Sequence, residues 1–305
     1  MRKIAVIDIG TNSMRFMISK IQRNKVVKSY KTLKTTRIGK GINRNGEISP
    51  EALERNFSAL KDFKEQGEKE GAREIIVFGT SALRDARNAG EFICMVQRKL
   101  GLSIEVLSGE QEAQIGFQGA IEGISGNVLV IDIGGGSTEF IYGNRDRGIL
   151  AMTSLNLGAL RMTESYIHND PIKKEELLAL KERIKEMVRG LSPQFYRDNS
   201  VIGIGGTITT LSAIKQNMKE YDSKKIHHSK LSIEDVRDVL KRLKALNLEQ
   251  RKKVWGLQAS RADIIIAGIV ILEGIMEILE IRELMVSERD NLEGMLYHYL
   301  EKKKY

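Results

Sequence analysis

The sequence predicts an α/β protein of two duplicated lobes, and three observations carry that prediction. Strand-like and helix-like stretches alternate along the 305 residues, the pattern of α/β architectures. Residues 6–18 (VIDIGTNSMRFMI) recur as residues 130–142 (VIDIGGGSTEFIY), with seven of thirteen positions identical at an offset of 124. A second element, a strand followed by Gly, Thr and a helix, occurs at 75–83 and again, in the same order, at 201–211. One apolar strand resembles another by chance, whereas two matched elements in one order mark a duplicated domain. The length agrees, since domains run about 100–200 residues. The expected lobes are 1–120, joined by a C-terminal helix at 290–305, and 121–289.

Each element follows from local pattern. Residues 4–9 and 14–20 read as a β-hairpin, followed by a strand at 26–32. Ser49-Pro50-Glu51 starts a helix: a capping hydroxyl, proline at the first helical position and an acid in the first turn. Leu53, Phe57, Leu60 and Lys64 continue it at helical spacing and Gly71 closes it. Next come a strand at 74–78, a helix at 81–100, a strand at 104–107 and a helix at 110–124. The second set opens with a strand at 127–133, carries a charged amphipathic helix at 174–191 and a strand at 201–204, and ends mainly in helices around a short strand at 284–286. Three prolines and no Ser/Gly-rich tract leave no flexible linker to expect.

Composition narrows the function classes. Hydrophobic content of 41% and charged content of 29% belong to a globular chain, not a disordered one. A single cysteine, Cys94, excludes a disulfide framework and a thiolate metal cage. No signal-peptide pattern precedes the first strand, and the longest apolar stretch, 264–281, carries Glu273, Glu277 and Glu280. That stretch reads as a buried helix rather than a membrane span, so a cytoplasmic protein with no membrane partner is expected. The formal charge is +9, and residues 2–44 hold twelve Lys/Arg against one acid, Asp8. Alternating apolar residues inside that run predict a folded basic surface, which attracts polyanions. Aromatics are only 6% of the chain, too sparse for base-stacking platforms, and no nucleic-acid partner is expected.

The repeated hairpins carry the chemistry. Asp8 and Asp132 each end a buried strand immediately before a turn of small residues, Gly10-Thr11-Asn12-Ser13 and Gly134-Gly135-Gly136-Ser137. Such turns let backbone N–H groups approach an anion. Thr11, Ser13 and Ser137 add neutral donors and Arg15 a charged clamp. Glu139 projects from the same strand face as Ser137, and hard carboxylate oxygens beside phosphates imply Mg²⁺. A P-loop, a Rossmann fingerprint, a nucleophile elbow and an H-E-x-x-H pair are all absent from the sequence.

With these motifs the chain resembles the actin/Hsp70/sugar-kinase superfamily and, more narrowly, the exopolyphosphatase/guanosine pentaphosphate phosphatase (Ppx/GppA) family. The resemblance runs through AVIDIGTNSMR (5–15), TRIGKGI (36–42), GTSALRDARN (79–88), LSGEQEA (107–113), VIDIGGGSTEF (130–140), LNLGALRMTE (155–164), GIGGT (203–207) and SRAD (260–263). It implies two ribonuclease-H-like lobes with a cleft between them, where a terminal phosphoanhydride of polyphosphate or of pppGpp is hydrolysed. By the same resemblance Glu112 is the base that orients the attacking water, with its neighbour Glu110 left open. Arg84 holds a phosphate oxygen. Thr11, Asn12, Ser13, Arg15, Gly134 to Ser137, Gly205, Gly206 and Thr207 bind phosphate, and Asp8, Asp132 and Glu139 handle Mg²⁺ or the water. A monovalent cation such as K⁺ and a homodimer complete the expectation. The basic N-terminal third favours polyphosphate over pppGpp. An ATP-dependent kinase and an actin-like scaffold share the hairpins, and the SGEQEA stretch argues against the kinase.

Two departures from the family pattern stand out. Leu292, in Asp290-Asn-Leu-Glu-Gly294, occupies the place of an arginine, for which Arg289 or Arg261 is the candidate substitute. The helical domain that follows the two lobes in longer members has no counterpart in these 305 residues. Elsewhere the reading is structural: His227-His228 as an exposed loop, Cys94 as core beside Phe92 and Val96, Met14, Met17 and Trp255 as packing, and 237–244 as a solvated helix face.

Overall fold

A computed structural model describes residues 2–191 and 200–303. The chain divides into two compact units, Met1–Gly119 with Asn291–Tyr305, and Ala120–Asp290. In the first unit, strands β1 (Arg2–Ile9), β2 (Met14–Gln22), β3 (Lys25–Lys34), β4 (Ala72–Gly79) and β5 (Ile104–Val106) form one sheet in the order β3-β2-β1-β4-β5. In the second, β6 (Val128–Ile133), β7 (Thr138–Asn144), β8 (Gly148–Leu155), β9 (Ser200–Ile204), β10 (Lys230–Ser232) and β11 (Glu283–Val286) run in the order β10-β11-β9-β6-β7-β8. The pairing is the same in both: an antiparallel meander of three strands, then parallel additions beside the first strand. The internal repeat is thus a repeat of topology, with β10 the one addition.

Alternation along β1 sorts its residues onto two faces. Ala5, Ile7 and Ile9 pack with Phe16, Leu60 and Phe63 under the helix Pro50–Lys69. That helix starts at Ser49, whose hydroxyl accepts from the Ala52 N–H at 3.3 Å, and Gly71 follows its end with φ +80°. Ile4 and Val6 face the other way, against Ile115 of the helix Gly109–Ala120 and Leu292, Met295 and Leu296 of the helix Asn291–Lys302. Leu292 is therefore a core residue, which is why an apolar side chain stands where the family pattern has arginine. Gly294 lets these two helices cross closely, since a Cβ there would overlap the Ile115 carbonyl oxygen. Gly294→Ala is expected to destabilise the protein by about 1–3 kcal/mol, the cost of overpacking against a backbone atom. Chemical denaturation would read it as a lower midpoint.

Several local readings need correction. The stretch 81–100 is two helices, Ser81–Asp85 and Ala89–Leu100, because the Asn88 amide pairs with both backbone groups of Ile48 at 2.9 Å and draws the chain out of helix. The next helix spans Gly109–Ala120 and stops short of 124. Cys94 is exposed, because Phe92 and Val96 are four apart on the buried face and the residue midway between them points outward. Trp255 is 49% exposed, its ring covered on one side by the Lys219 ammonium at 4.6 Å. His227 is half-buried, its Nδ1 accepting from the Glu288 N–H at 3.3 Å. Among the described residues no helix is long and apolar enough to cross a membrane.

Candidate active-site residues in the two units

In the first unit Asp8 continues the β1 face of Ile4 and Val6 and so emerges beside the helix that carries Glu112. It is 2% exposed. Its register partner across the hairpin is Arg15, whose Nε donates to Asp8 Oδ2 at 2.8 Å and whose Nη2 donates to the same oxygen. Arg15, expected as a phosphate clamp, is anchored on the carboxylate expected as a metal ligand. Glu112 is 6% exposed, and Arg84 Nη1 donates both to its Oε2 at 2.7 Å and to the Leu107 carbonyl at 2.8 Å. Glu110, two residues earlier, is exposed.

Burial pushes the Glu112 carboxyl above the ordinary carboxylate range; Arg84 opposes that shift, while Asp8 adds to it and Arg15 subtracts. Asp8, Arg15, Arg84 and Glu112 are thus one electrostatic cluster. The Glu112 carboxyl within it has raised proton affinity, as a group that accepts a proton needs.

The turn after β1 is closed by the Gly10 N–H donating to the Ser13 carbonyl at 3.2 Å. The segment after β3 then binds its carbonyls: Gly39 N–H donates to Thr11 O at 3.0 Å and Arg37 N–H to Asn12 O at 2.9 Å. In a trans peptide the N–H points opposite to the C=O. Fixing those two carbonyls therefore turns the N–H groups of Asn12 and Ser13 the other way, as an anion-binding turn requires. The Thr11 hydroxyl shares a hydrogen bond of 2.7 Å with Ser81 of the GTSAL stretch.

The second unit repeats the geometry with different charge. Gly134 N–H donates to Ser137 O at 3.0 Å. Opposite Asp132 in the β6–β7 register stands not a cation but Glu139, 1% exposed, which accepts from the Ser154 hydroxyl at 2.8 Å. Two directly opposed carboxylates repel, and hard oxygen pairs of this kind suit Mg²⁺, which takes one or two carboxylates and fills its octahedron with water and phosphate oxygens. Gly205, with φ +90°, stands against Asp132: a Cβ there would lie 2.6 Å from its Oδ1 and 2.7 Å from the Ile133 carbonyl oxygen. The donor set and that side-chain-free approach fit a small divalent cation. Gly206 lies under the Arg261 guanidinium, and Thr207 packs against Gly268.

Sequence reasoning assigned no role to the residues that hold these turns. Gly39 and Arg37 back the first, and Gly158 and Arg161 the second. All lie inside motifs visible in the sequence, but a contact with a carbonyl some 25 residues away leaves no periodic signal.

Comparison with known proteins identifies relatives along nearly the whole chain. The profile described as the Ppx/GppA phosphatase family matches residues 17–303. "Exopolyphosphatase 2" of Mycobacterium tuberculosis is 32% identical, the match covering 96% of this chain and 97% of that protein. A "Bifunctional 3-dehydroquinate synthase/phosphatase" of Fusobacterium nucleatum is 37% identical over 98% of this chain, which spans about half (47%) of that protein. A "Guanosine-5'-triphosphate,3'-diphosphate pyrophosphatase" of Photobacterium profundum is 30% identical over 99% of this chain and 60% of its own length. Among solved structures, an exopolyphosphatase from Cytophaga hutchinsonii superposes with a TM-score of 0.89 at 28% identity, covering 99% of this chain and 98% of that one. The Aquifex aeolicus Ppx/GppA family member gives 0.82 at 29% identity, covering 100% and 99%. With the repeated topology, these likenesses establish two ribonuclease-H-like units.

Proposed function

This chain belongs to the Ppx/GppA phosphatase family, and from that premise we propose that it hydrolyses the terminal phosphoanhydride of inorganic polyphosphate, with Glu112 as the base. The observation that carries the reading is the buried, proton-avid Glu112 carboxylate held by Arg84 beside the Asp8–Arg15 pair. Glu112 takes a proton from a water as that water's oxygen bonds to the terminal phosphorus. The bridging P–O bond breaks, its electron pair leaves with the shortened chain, and orthophosphate is released. Little more is required of the protein than positioning and charge neutralisation. Asp132 and Glu139 would hold Mg²⁺, which supplies neutralisation of phosphate charge when bound. The turn N–H groups would orient phosphate oxygens. Cytoplasmic residence and a homodimer belong to the same proposal.

Charge distribution supports a long polyanion over a nucleotide. The first unit holds 24 Lys/Arg against 16 Asp/Glu, a surplus of 8, whereas the second holds 25 against 24. A field of one sign raises the local concentration of an opposite polymer and is screened by salt. Orthophosphate release from long-chain polyphosphate, pppGpp and ATP, each with Mg²⁺, tests the reading. The expected result is fastest release from polyphosphate, with a KM that rises steeply between 50 and 300 mM salt, concentrations on the order of those that shrink the Debye length below 10 Å. Release from pppGpp alone would move the function to the guanosine nucleotide, and release from none would overturn it.

A further inference from the structure

Resting on the hydrolase reading above, we infer that Arg161 is a positioning residue for the terminal phosphate, acting through the backbone of the Gly134–Ser137 turn. Three consecutive carbonyls of that turn are bound from one side. Ala159 N–H donates to Gly134 O at 3.0 Å, and Leu160 and Arg161 N–H donate to Gly135 O at 2.9 and 3.0 Å. The third, Gly136 O, accepts from the Arg161 side chain, Nε, at 2.7 Å. Because each trans peptide opposes its C=O and N–H, these bonds turn the N–H groups of Gly135, Gly136 and Ser137 to the other side in sequence. A run of such donors is an anion nest. The approach is possible only because residue 158 is glycine: a Cβ there would overlap the Gly135 carbonyl group and the Gly136 carbonyl carbon.

The duplicated unit provides the internal control. Thr11 and Asn12 stand at the positions of Gly135 and Gly136, at the repeat offset of 124. In both units the backing segment is the one that follows the third meander strand. In the first, Asn12 O is bound by a main-chain donor, the Arg37 N–H at 2.9 Å. In the second, the equivalent Gly136 O is bound by a side chain. A main-chain donor survives any substitution except proline, whereas the donor at Gly136 is lost when Arg161 is replaced. The Gly136–Ser137 peptide is then free to rotate, and the Ser137 N–H loses its fixed direction. An N–H turned away from a phosphate oxygen costs transition-state stabilisation, so Arg161 acts through the Gly136–Ser137 peptide.

The test reads phosphate binding separately from turnover. Thermal stabilisation by inorganic phosphate is measured for the parent, Glu112→Gln, Arg161→Ala and Arg161→Lys, alongside orthophosphate release from polyphosphate. The parent and Glu112→Gln are expected to be stabilised by phosphate. Arg161→Ala is expected to keep the phosphate-free melting temperature within a few degrees, to lose the phosphate-dependent rise, and to fall about 10²-fold in kcat/KM. Added methylguanidinium should restore part of its turnover, which a merely structural arginine would not allow. Should Arg161→Ala fail to fold, Arg161→Lys carries the test: it keeps stem and charge but lacks a donor at the Nε position, so its phosphate affinity should fall at least about tenfold. A folded Arg161 variant with the parent's phosphate affinity and turnover overturns the inference, as does a parent that phosphate does not stabilise. A parent that phosphate stabilises but that releases none from any substrate sinks the hydrolase reading and leaves the nest standing.

Discussion

Glu112→Gln is expected to lower kcat for orthophosphate release by about 10²–10⁴-fold, the range associated with a positioned general base, while leaving the protein at least as stable as the parent at neutral pH. The two effects share one cause. Burial raises the carboxyl's proton affinity despite Arg84, so the neutral form is favoured in the folded state more than in the unfolded one. That preference contributes stability below the unfolded carboxylate pKa and is lost as pH rises through the higher folded value. Above the unfolded pKa this raised proton affinity counts against the folded state, a cost that glutamine removes. A structural ion pair behaves oppositely, since deleting one partner of a buried pair costs stability. Activity has the reverse pH dependence: the base works only when deprotonated, so kcat/KM falls as pH drops through that raised pKa. A melting temperature for Glu112→Gln well below the parent's at pH 7, with activity retained, would assign Glu112 to the scaffold instead.

Asp132→Asn and Glu139→Gln are expected to weaken Mg²⁺ binding at least about 10²-fold, since even residues that only support a metal ligand cost 10–100-fold. The reasoning starts from the β6–β7 register, which sets two carboxylates opposite each other where β1 and β2 set Asp8 against Arg15. Like charges in directly opposed positions cost stability, opposite charges contribute it, each by about 0.2–1 kcal/mol. Without divalent cation, either neutral substitution should therefore raise the melting temperature of the second unit slightly. With cation the order should invert: the parent gains stability from Mg²⁺ and the variants do not. Calorimetry with and without Mg²⁺ reads this without any assay of turnover. Equal Mg²⁺-dependent stabilisation of parent and both variants would place the cation elsewhere.

Different parts of this protein were legible in the sequence to different degrees, for physical reasons. The duplicated hairpins were legible because a buried strand followed by a tight turn tolerates few residue types, so VIDIG survives in both copies. Membership of a phosphatase family was legible from the ordered motifs. Glu112 was preferred to Glu110 only by the resemblance, since both acids suit a helix N-terminus; their difference in burial, Glu112 buried and Glu110 exposed, left no mark in the sequence. The break at Ala86 to Asn88 was hidden because it depends on Ile48, forty residues away. Cys94 was misread because its apolar neighbours flank it in sequence but not in space.

The first unit is assembled from two stretches, Met1–Gly119 and Asn291–Tyr305, and this gives biosynthesis a fixed order. A ribosome adding roughly 5–20 residues per second finishes the second unit before it makes the helix Asn291–Lys302 that covers Ile4 and Val6. During that interval, about 10 s or longer at those rates, one apolar sheet face of the nascent first unit has only the helix Gly109–Ala120 to cover it and lacks Leu292, Met295 and Leu296. Premature termination just before Asn291 yields a chain that keeps every candidate site residue discussed above yet lacks the helix Asn291–Lys302 on that face. An unfinished chain is thus set apart by apolar residues that the last helix would otherwise bury.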